Sequence, residues 1–396
     1  MSNTQKKNVP ELRFPGFEGE YSLDIFGNLA TNKSDKFNPQ NENASIDIEL
    51  DCIEQNTGRL IKIYNSKEFS SQKNKFNPQN VLYGKLRPYL NKYYFTKKSG
   101  VCSSEIWVLK STKEDKLLNL FLYYFIQTKR YSDVASKSAG SKMPRADWGL
   151  IENIRVYFPE LCEQQKIGEF FSKLDRQIEL EEQKLELLQQ QKKGYMQKIF
   201  SQELRFKDEN GNDYPEWVVK LIGDIGKVAM NKRIYKHETS ANEEIPFYKI
   251  GNFGKKADTF ISREQFNEYK EKYPYPKKGD ILISASGSIG KTIEYKGEEA
   301  YYQDSNIVWL DHNEEVLNVF LKYFYILVKW NGVEGTTIKR LYNKNILNTK
   351  IDLPTISEQQ KIGDFFCYID NLIEIQEQKL EFLKRRKQSL LQKMFV

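Results

Sequence analysis

Histidine is almost missing from this sequence: His237 and His312 are the only two in 396 residues. Neither stands in an H-E-x-x-H run or an acid–base setting, which leaves no candidate histidine base and no zincin-type metal site. Cysteine is equally sparse. Cys52, Cys102, Cys162 and Cys367 lie far apart with no C-x-x-C pair to chelate zinc or shuttle electrons, so free buried thiols are expected. No apolar run approaches the ~18 residues that suggest a membrane span, and no apolar stretch follows the charges of the opening segment as a secretory signal requires. The expectation is a cytoplasmic protein without membrane contact, metal or bound cofactor.

Charge of one sign is not abundant either. The formal net charge is +7, but residues 159–200 hold 7 basic against 8 acidic residues and residues 354–396 hold 7 against 6. Residues 11–158 are basic, with 22 against 17, whereas residues 201–353 balance at 23 against 23. Phosphate binding needs clustered cations on one face rather than a large total, so a neutral domain still qualifies.

What the chain has in plenty is self-similarity. Residues 159–200 and 354–395 are identical at 22 of 42 positions, at a constant offset of 195 with no insertion. Unslipped register marks a rigid element whose length matters. In the first copy Ile167, Phe171, Leu174, Ile178, Leu185, Leu188, Tyr195 and Ile199 step by three and four residues, with one longer step on each side of the Leu185–Leu188 pair. In the second, Ile362, Phe366, Ile369, Ile373, Leu380, Leu383, Leu390 and Met394 repeat the pattern. This is a coiled-coil seam, and helix pairing is assigned to these positions. Each helix of ~38 residues at ~1.5 Å rise is roughly 57 Å long, suited to a spacer. Pro354, Ser357 and Gln360 read as a stop followed by a capping box. Glu181 and Gln376, and again Lys192 and Lys387, interrupt both seams; they either fix register or snorkel to solvent. The Lys384–Lys387 run reads as a solvated face, with contact to DNA backbone as the alternative.

The segments ahead of the helices rhyme more loosely. Glu11–Phe14 is echoed by Glu203–Phe206, Asn80–Gly84 by Asp280–Ser284, and Ser104–Leu109 by Ser305–Leu310. The organisation expected is a disordered N-terminus over 1–10, a first domain over 11–158, a long helix over 159–200, a second domain over 201–353 and a second long helix over 354–396. Short β-branched and aromatic runs beside helical stretches at 117–130 and 316–330 make each domain mixed α/β. The fold class is therefore α/β (mixed α+β): two similar domains separated by two long coiled-coil helices in a pseudo-two-fold internal repeat.

Two copies of one scaffold at a fixed spacing suit a duplex, whose recognition segments are fixed in spacing too. Loop chemistry agrees. Lys85, Arg87, Asn91 and Lys92 place cations and an amide in one segment after a strand, able to read base edges or hold phosphates, with a plain solvated hairpin as the alternative. Ser141, Lys142 and Arg145, and their counterparts Thr336, Thr337, Lys339 and Arg340, have similar character. Ser284, Ser286, Ser288 and Lys291 form the second strand-end loop. Residues 285–292, ASGSIGKT, satisfy a loose phosphate-loop pattern, but the stretch after them is too short and Gly-broken for the helix a P-loop needs, so a hairpin is expected. Asn38-Pro39-Gln40 and Asn77-Pro78-Gln79 lack the second proline and the aromatic of an adenine-methylation motif. No catalytic residue is assigned.

With its paired P…EQQKIGEFF…LD…I…EQKLE…L…QKIF and P…EQQKIGDFF…ID…I…EQKLE…L…QKMF helices, the chain resembles, over nearly its whole length, the specificity subunits of Type I restriction-modification systems. The resemblance implies two target-recognition domains, antiparallel helices and a bipartite, asymmetric target in double-stranded DNA. It also implies two modification subunits that methylate adenine with S-adenosylmethionine and two restriction subunits that use ATP and Mg, those cofactors belonging to the partners. A coiled-coil scaffold holding two partner proteins, without nucleic acid, is the alternative reading.

Overall fold

The computed structural model describes residues 8–38, 44, 46–65, 71–137, 142–330 and 340–396. The chain divides into two compact units. The first comprises residues 1–184 with 376–396, and the second residues 185–375. The cuts fall inside the two long helices, Leu161–Phe200 and Ile356–Met394, so each unit is built from one domain, the start of the helix that follows it and the end of the other.

In the first unit, Ser22–Ile25 pairs antiparallel with Arg155–Phe158. A four-stranded antiparallel sheet runs in the order Ala30–Thr31, Ile106–Ser111, Val81–Gly84, Tyr93–Phe95. Its central strand Val81–Gly84 is buried at every position, and its unbroken apolar character follows from being covered on both faces. A second sheet holds the parallel pair Asp47–Ile48 and Gly100–Cys102, extended beyond Cys102 by Lys73–Phe76 and Lys36–Phe37.

The second unit repeats the frame. Val218–Leu221 pairs with Lys350–Leu353, and Gly226–Ala229, Ile307–His312, Ile281–Ser284 and Thr292–Glu294 form the four-stranded sheet. Ile245–Tyr248 lies parallel to Tyr301–Tyr302. The extension departs from the first unit: Phe260–Ile261 joins the Ile245–Tyr248 edge instead, leading into a helix over Arg263–Lys272. The helical stretch expected at 117–130 is two short helices, Asn119–Phe125 and Lys129–Ala135, whereas that at 316–330 is one, Asn318–Leu327.

Each core takes both helices. In the first unit Ile167, Phe171 and Leu174 meet Leu383, Leu391, Met394 and Phe395. In the second, Met196 and Ile199 join Ile362, Phe366 and Ile369. Within the first unit Glu181 contacts Gln376 while Asp175 contacts Lys387, and within the second Lys192 contacts Asp370 while Tyr195 contacts Phe365. Rising numbers on one helix meet falling numbers on the other in both units: the helices are antiparallel.

Among the seam positions Leu380 is also buried, while Ile178, Leu185, Leu188 and Ile373 are half-buried. Two others are corrected. Tyr195 is exposed and Met196 takes the buried place, and Leu391 is buried where Leu390 is only half-buried. A straight helix drifts by ~20° per heptad against a 3.5-residue repeat, so after several heptads the buried stripe passes to the next residue. The polar seam positions do not snorkel. Gln376 is 4 % exposed and donates to the Glu181 carboxylate at 2.6 Å, Lys387 meets Asp175 at 2.6 Å, and Lys192 meets Asp370 at 2.5 Å. Lys384 pairs with Glu182 and Arg385 with Glu381, so three cations of the 384–387 run are engaged within the unit.

The second helix begins at Ile356, and Thr355 rather than Ser357 caps it, its hydroxyl accepting from the Glu358 amide at 3.4 Å. Nor are all four thiols buried. Cys52 and Cys102 are, Cys367 is intermediate and Cys162 is exposed beside the helix start.

Candidate nucleic-acid interface

Sequence places the strand-end loops after Val81–Gly84 and Ile281–Ser284; tertiary structure gives both one backbone frame. Each loop closes as a hairpin, the Gly84 amide donating to Lys92 O and the Ser284 amide to Lys291 O, both at 2.8 Å. Each is bridged to the segment that enters the last strand of its unit, Leu86 opposite Arg145 and Ser286 opposite Arg340. The Ala146 amide donates to Lys85 O and the Leu341 amide to Ala285 O, again at 2.8 Å. A lysine closes each frame: Lys92 Nζ donates to Leu50 O at 2.5 Å and Lys291 Nζ to Phe253 O at 2.6 Å. Two segments that share no motif thus fold alike because their neighbours are alike.

Within that frame the assigned residues separate. Lys85 is half-buried and Arg87 exposed, and neither side chain has a hydrogen bond or ion pair among the described residues. Arg87 has a left-handed backbone, φ 52°, which a long side chain adopts only under local constraint. The constraint is its amide, held by Pro144 O at 2.8 Å, and the turn over Pro88–Leu90 directly after it. Tyr89, at the tip, is exposed. Asn91 is also left-handed and is tied to Asn56, itself left-handed, by its side-chain amide at 3.0 Å and by the Asn56 amide to Asn91 O at 3.1 Å. Lys142 is exposed. Arg145 is engaged by Glu105 at 3.0 and 3.2 Å, and that hydrogen-bonded charge raises the guanidinium pKa.

In the second unit Ser284 and Ser286 are buried, contrary to a role at an open surface. Ser284 Oγ donates to Ser288 O and accepts from the Lys291 amide, and Ser286 Oγ donates to Asn306. Ser288 and Lys291 are exposed. Arg340 donates to Ser305 O at 3.2 Å, in the place where Arg145 meets Glu105. Ser141, Thr336, Thr337 and Lys339 lie outside the described residues. After the hairpin the chain enters the strand Thr292–Glu294, not a helix, so the phosphate-loop pattern has no helix N-terminus behind it. Among the described residues no group of three or more His, Cys, Asp or Glu could hold a metal, and no helix is long and apolar enough to cross a membrane.

Sequence reasoning missed one segment. The turn 249–256 packs on the second hairpin and carries exposed Lys255 and Lys256 beside the Phe253 carbonyl that Lys291 holds. Its G-N-F-G-K-K run signals a turn, but nothing in the sequence places it there.

The repeated helix motif has a different task from the loops. Arg13 and Tyr21 bind the fully buried Glu163, and Arg205 and Trp217 bind Glu358. Gln164 accepts from the Leu118 amide and donates to Lys116 O and Pro159 O; Gln359 does the same with Leu317, Glu315 and Pro354. A Cβ on Gly168 would sit 2.6 Å from Leu120, and one on Gly363 2.5 Å from Val319. Tyr124 and Tyr323 donate to Asp175 and Asp370, and burial first, with those carboxylates adding, pushes both phenols well above their ordinary range. The E-Q-Q-K-I-G…D pattern locks each helix to the domain before it.

A model of the Type I restriction modification DNA specificity domain matches residues 20–190 and again 214–385. The chain belongs to that family. Among its relatives, a putative type I restriction enzyme specificity subunit of Haemophilus influenzae is 42 % identical over 261 residues, 63 % of this chain and 63 % of that protein. A type I restriction enzyme specificity subunit of Methanocaldococcus jannaschii is 27 % identical over 321 residues, 75 % and 74 % of the two chains. The match to the first thus spans less than two thirds of its length. The fold is that of the S subunit of a Type-I restriction-modification system from M. genitalium, with a TM-score of 0.59 and 16 % identity over 98 % of this chain and 99 % of that one. A chain from a type I R-M system assembly matches with the same TM-score at 17 % identity, over 94 % and 97 % of the two. Both matches of the specificity-domain family run from the globular part into the long helix, the segment over which the motif locks helix to domain.

Proposed function

We propose that this chain is the DNA sequence-specificity subunit of a Type I restriction-modification complex, reading a bipartite, asymmetric target in double-stranded DNA and performing no chemistry itself. Each domain reads one half of the target, and the long helices set the separation of the halves. Two modification subunits, methylating adenine with S-adenosylmethionine, and two restriction subunits, using ATP and Mg, assemble on it. The observation that carries this reading is one domain frame used twice, each copy locked to its own copy of the repeated helix through corresponding helix residues but carrying different outer segments. A ligand met twice in different versions, at a fixed spacing, is what a split duplex site presents.

The test is methylome sequencing of a host carrying this chain with its modification subunit, against the same host lacking this chain. A split motif methylated on adenine in both halves, lost with the deletion, is the expected result. Identical methylation in the two hosts overturns the proposal and favours a protein scaffold.

A further inference from the structure

The two strand-end hairpins pose a question that DNA reading alone does not answer: which part of the duplex do they touch? Their backbone frames coincide, down to the bridges at Leu86–Arg145 and Ser286–Arg340 and the lysine ties of Lys92 and Lys291. The outer segments differ, since the sheet holding the parallel pair grows from opposite edges and only the second unit inserts the helix Arg263–Lys272. A feature common to two domains that read different sequences has to meet what those sequences have in common. On a duplex that is the phosphate backbone.

The free groups on the hairpins agree. The first offers the ammonium of Lys85 and the guanidinium of Arg87, both without a partner among the described residues. The second has no cation there to spare, because Lys291 is turned onto Phe253 O. It offers the amides of Gly287 and Ser288, which donate to nothing among the described residues, and the exposed Ser288 hydroxyl. Gly287 has φ 65°, the left-handed backbone that occurs in anion-binding turns. Cations in one hairpin and open N–H groups in the other are different chemistry for the same ligand, an oxygen that only accepts. Of the side chains that can also accept, Ser284 and Ser286 are buried in internal bonds and Asn91 is tied to Asn56 through its amide nitrogen, which leaves the exposed hydroxyls of Ser288 and Tyr89.

We infer that the hairpins 84–92 and 284–291 are sequence-neutral phosphate clamps that seat each unit on DNA, with Lys85 and Arg87 as the phosphate ligands of the first. Base selectivity then belongs to segments that the two units do not share. This rests on the proposed DNA reading and adds the ligand group.

The test uses the full chain, the duplex it selects from a random library, and a scrambled duplex, titrated across a salt series. Arg87→Gly removes the side chain and suits the left-handed backbone, so folding is preserved; Lys85→Ala is combined with it. The double variant is expected to bind both duplexes more weakly by the same factor. Its log K against log salt slope should fall by ~0.9 for each phosphate it no longer neutralises, with the selected motif unchanged and Arg87→Lys restoring most of the binding. Relaxed preference at one base pair, with weakening confined to the selected duplex, makes Arg87 a base reader and overturns the inference. Unchanged affinity and slope overturn it as well. A wild-type chain that binds neither duplex overturns the inference together with the DNA reading, whereas the first two failures leave that reading standing.

Discussion

Arg13 grips Glu163 with two nitrogens, Nε at 2.8 Å and a terminal nitrogen at 2.7 Å, across 150 residues of chain. Glu163 is fully buried while Arg13 keeps 14 % of its side-chain surface. Removing one partner of a buried pair strands the other charge and costs about 3–5 kcal/mol. Arg13→Met should therefore lower the stability of the first unit by roughly 3 kcal/mol, and adding Glu163→Gln should recover part of it. Denaturant unfolding of the single and double variants measures both; equal destabilisation in the two would mean that the charge is not what matters.

Glycines of the helices divide by what surrounds them. Gly168 and Gly363 face Leu120 and Val319 at distances no Cβ tolerates, whereas Gly194 has nothing within 4 Å. Gly194→Ala should stabilise by about 0.5–1 kcal/mol through helix propensity. Gly168→Ala and Gly363→Ala should forfeit that gain to overpacking, with a net destabilisation of about 1–2 kcal/mol. Thermal midpoints should rise in the first variant and fall in the other two.

Acid should loosen the helix pairing of the first unit. Hydrogen bonds from Gln376 and then Lys379 hold the Glu181 carboxyl below its usual range. Burial pushes Glu182 up, but Lys384 and Arg59 more than offset it, and its pKa is also depressed. Depressed carboxylates contribute stability in full above the unfolded glutamate value of about 4.3 and lose it as pH falls through the folded value. The unfolding midpoint should drop as pH falls below about 4, and Glu182→Gln should flatten that dependence. An unchanged pH profile in the variant would rule out this pair as its source.

Both domains dock on the same helix residues, Glu163 or Glu358, Gln164 or Gln359 and Asp175 or Asp370. A chain in which residues 201–353 are replaced by a second copy of 11–158 should therefore fold, and the two halves of its methylated motif should become the same. Methylome sequencing reads this directly. A motif retaining both original halves would refute the modular assignment.

Much of the frame was legible because it depends on local periodicity. The three-and-four steps from Ile167 to Leu174 and from Ile362 to Ile369 mark the buried stripe, and the all-apolar runs at 81–83 and 281–283 mark the central strands. Less of the site could be read. Ser284 and Ser286 look like loop donors in sequence, yet they are buried because Ala285 still pairs with Leu341. Arg145 looks like a free cation until Glu105, 40 residues away, meets it.

By itself the sequence determined the repeat, the two long helices with their apolar seams and the mixed α/β class, since each follows from spacing along the chain. Tertiary structure alone decided which cations are free. Lys85 and Arg87 are left without partners among the described residues, while Lys92, Lys291, Lys384 and Lys387 are engaged by distant groups. The physical reason is that helix and strand period is a property of neighbours in sequence, whereas an ion pair or hydrogen bond is settled by whatever the fold carries to within about 3 Å.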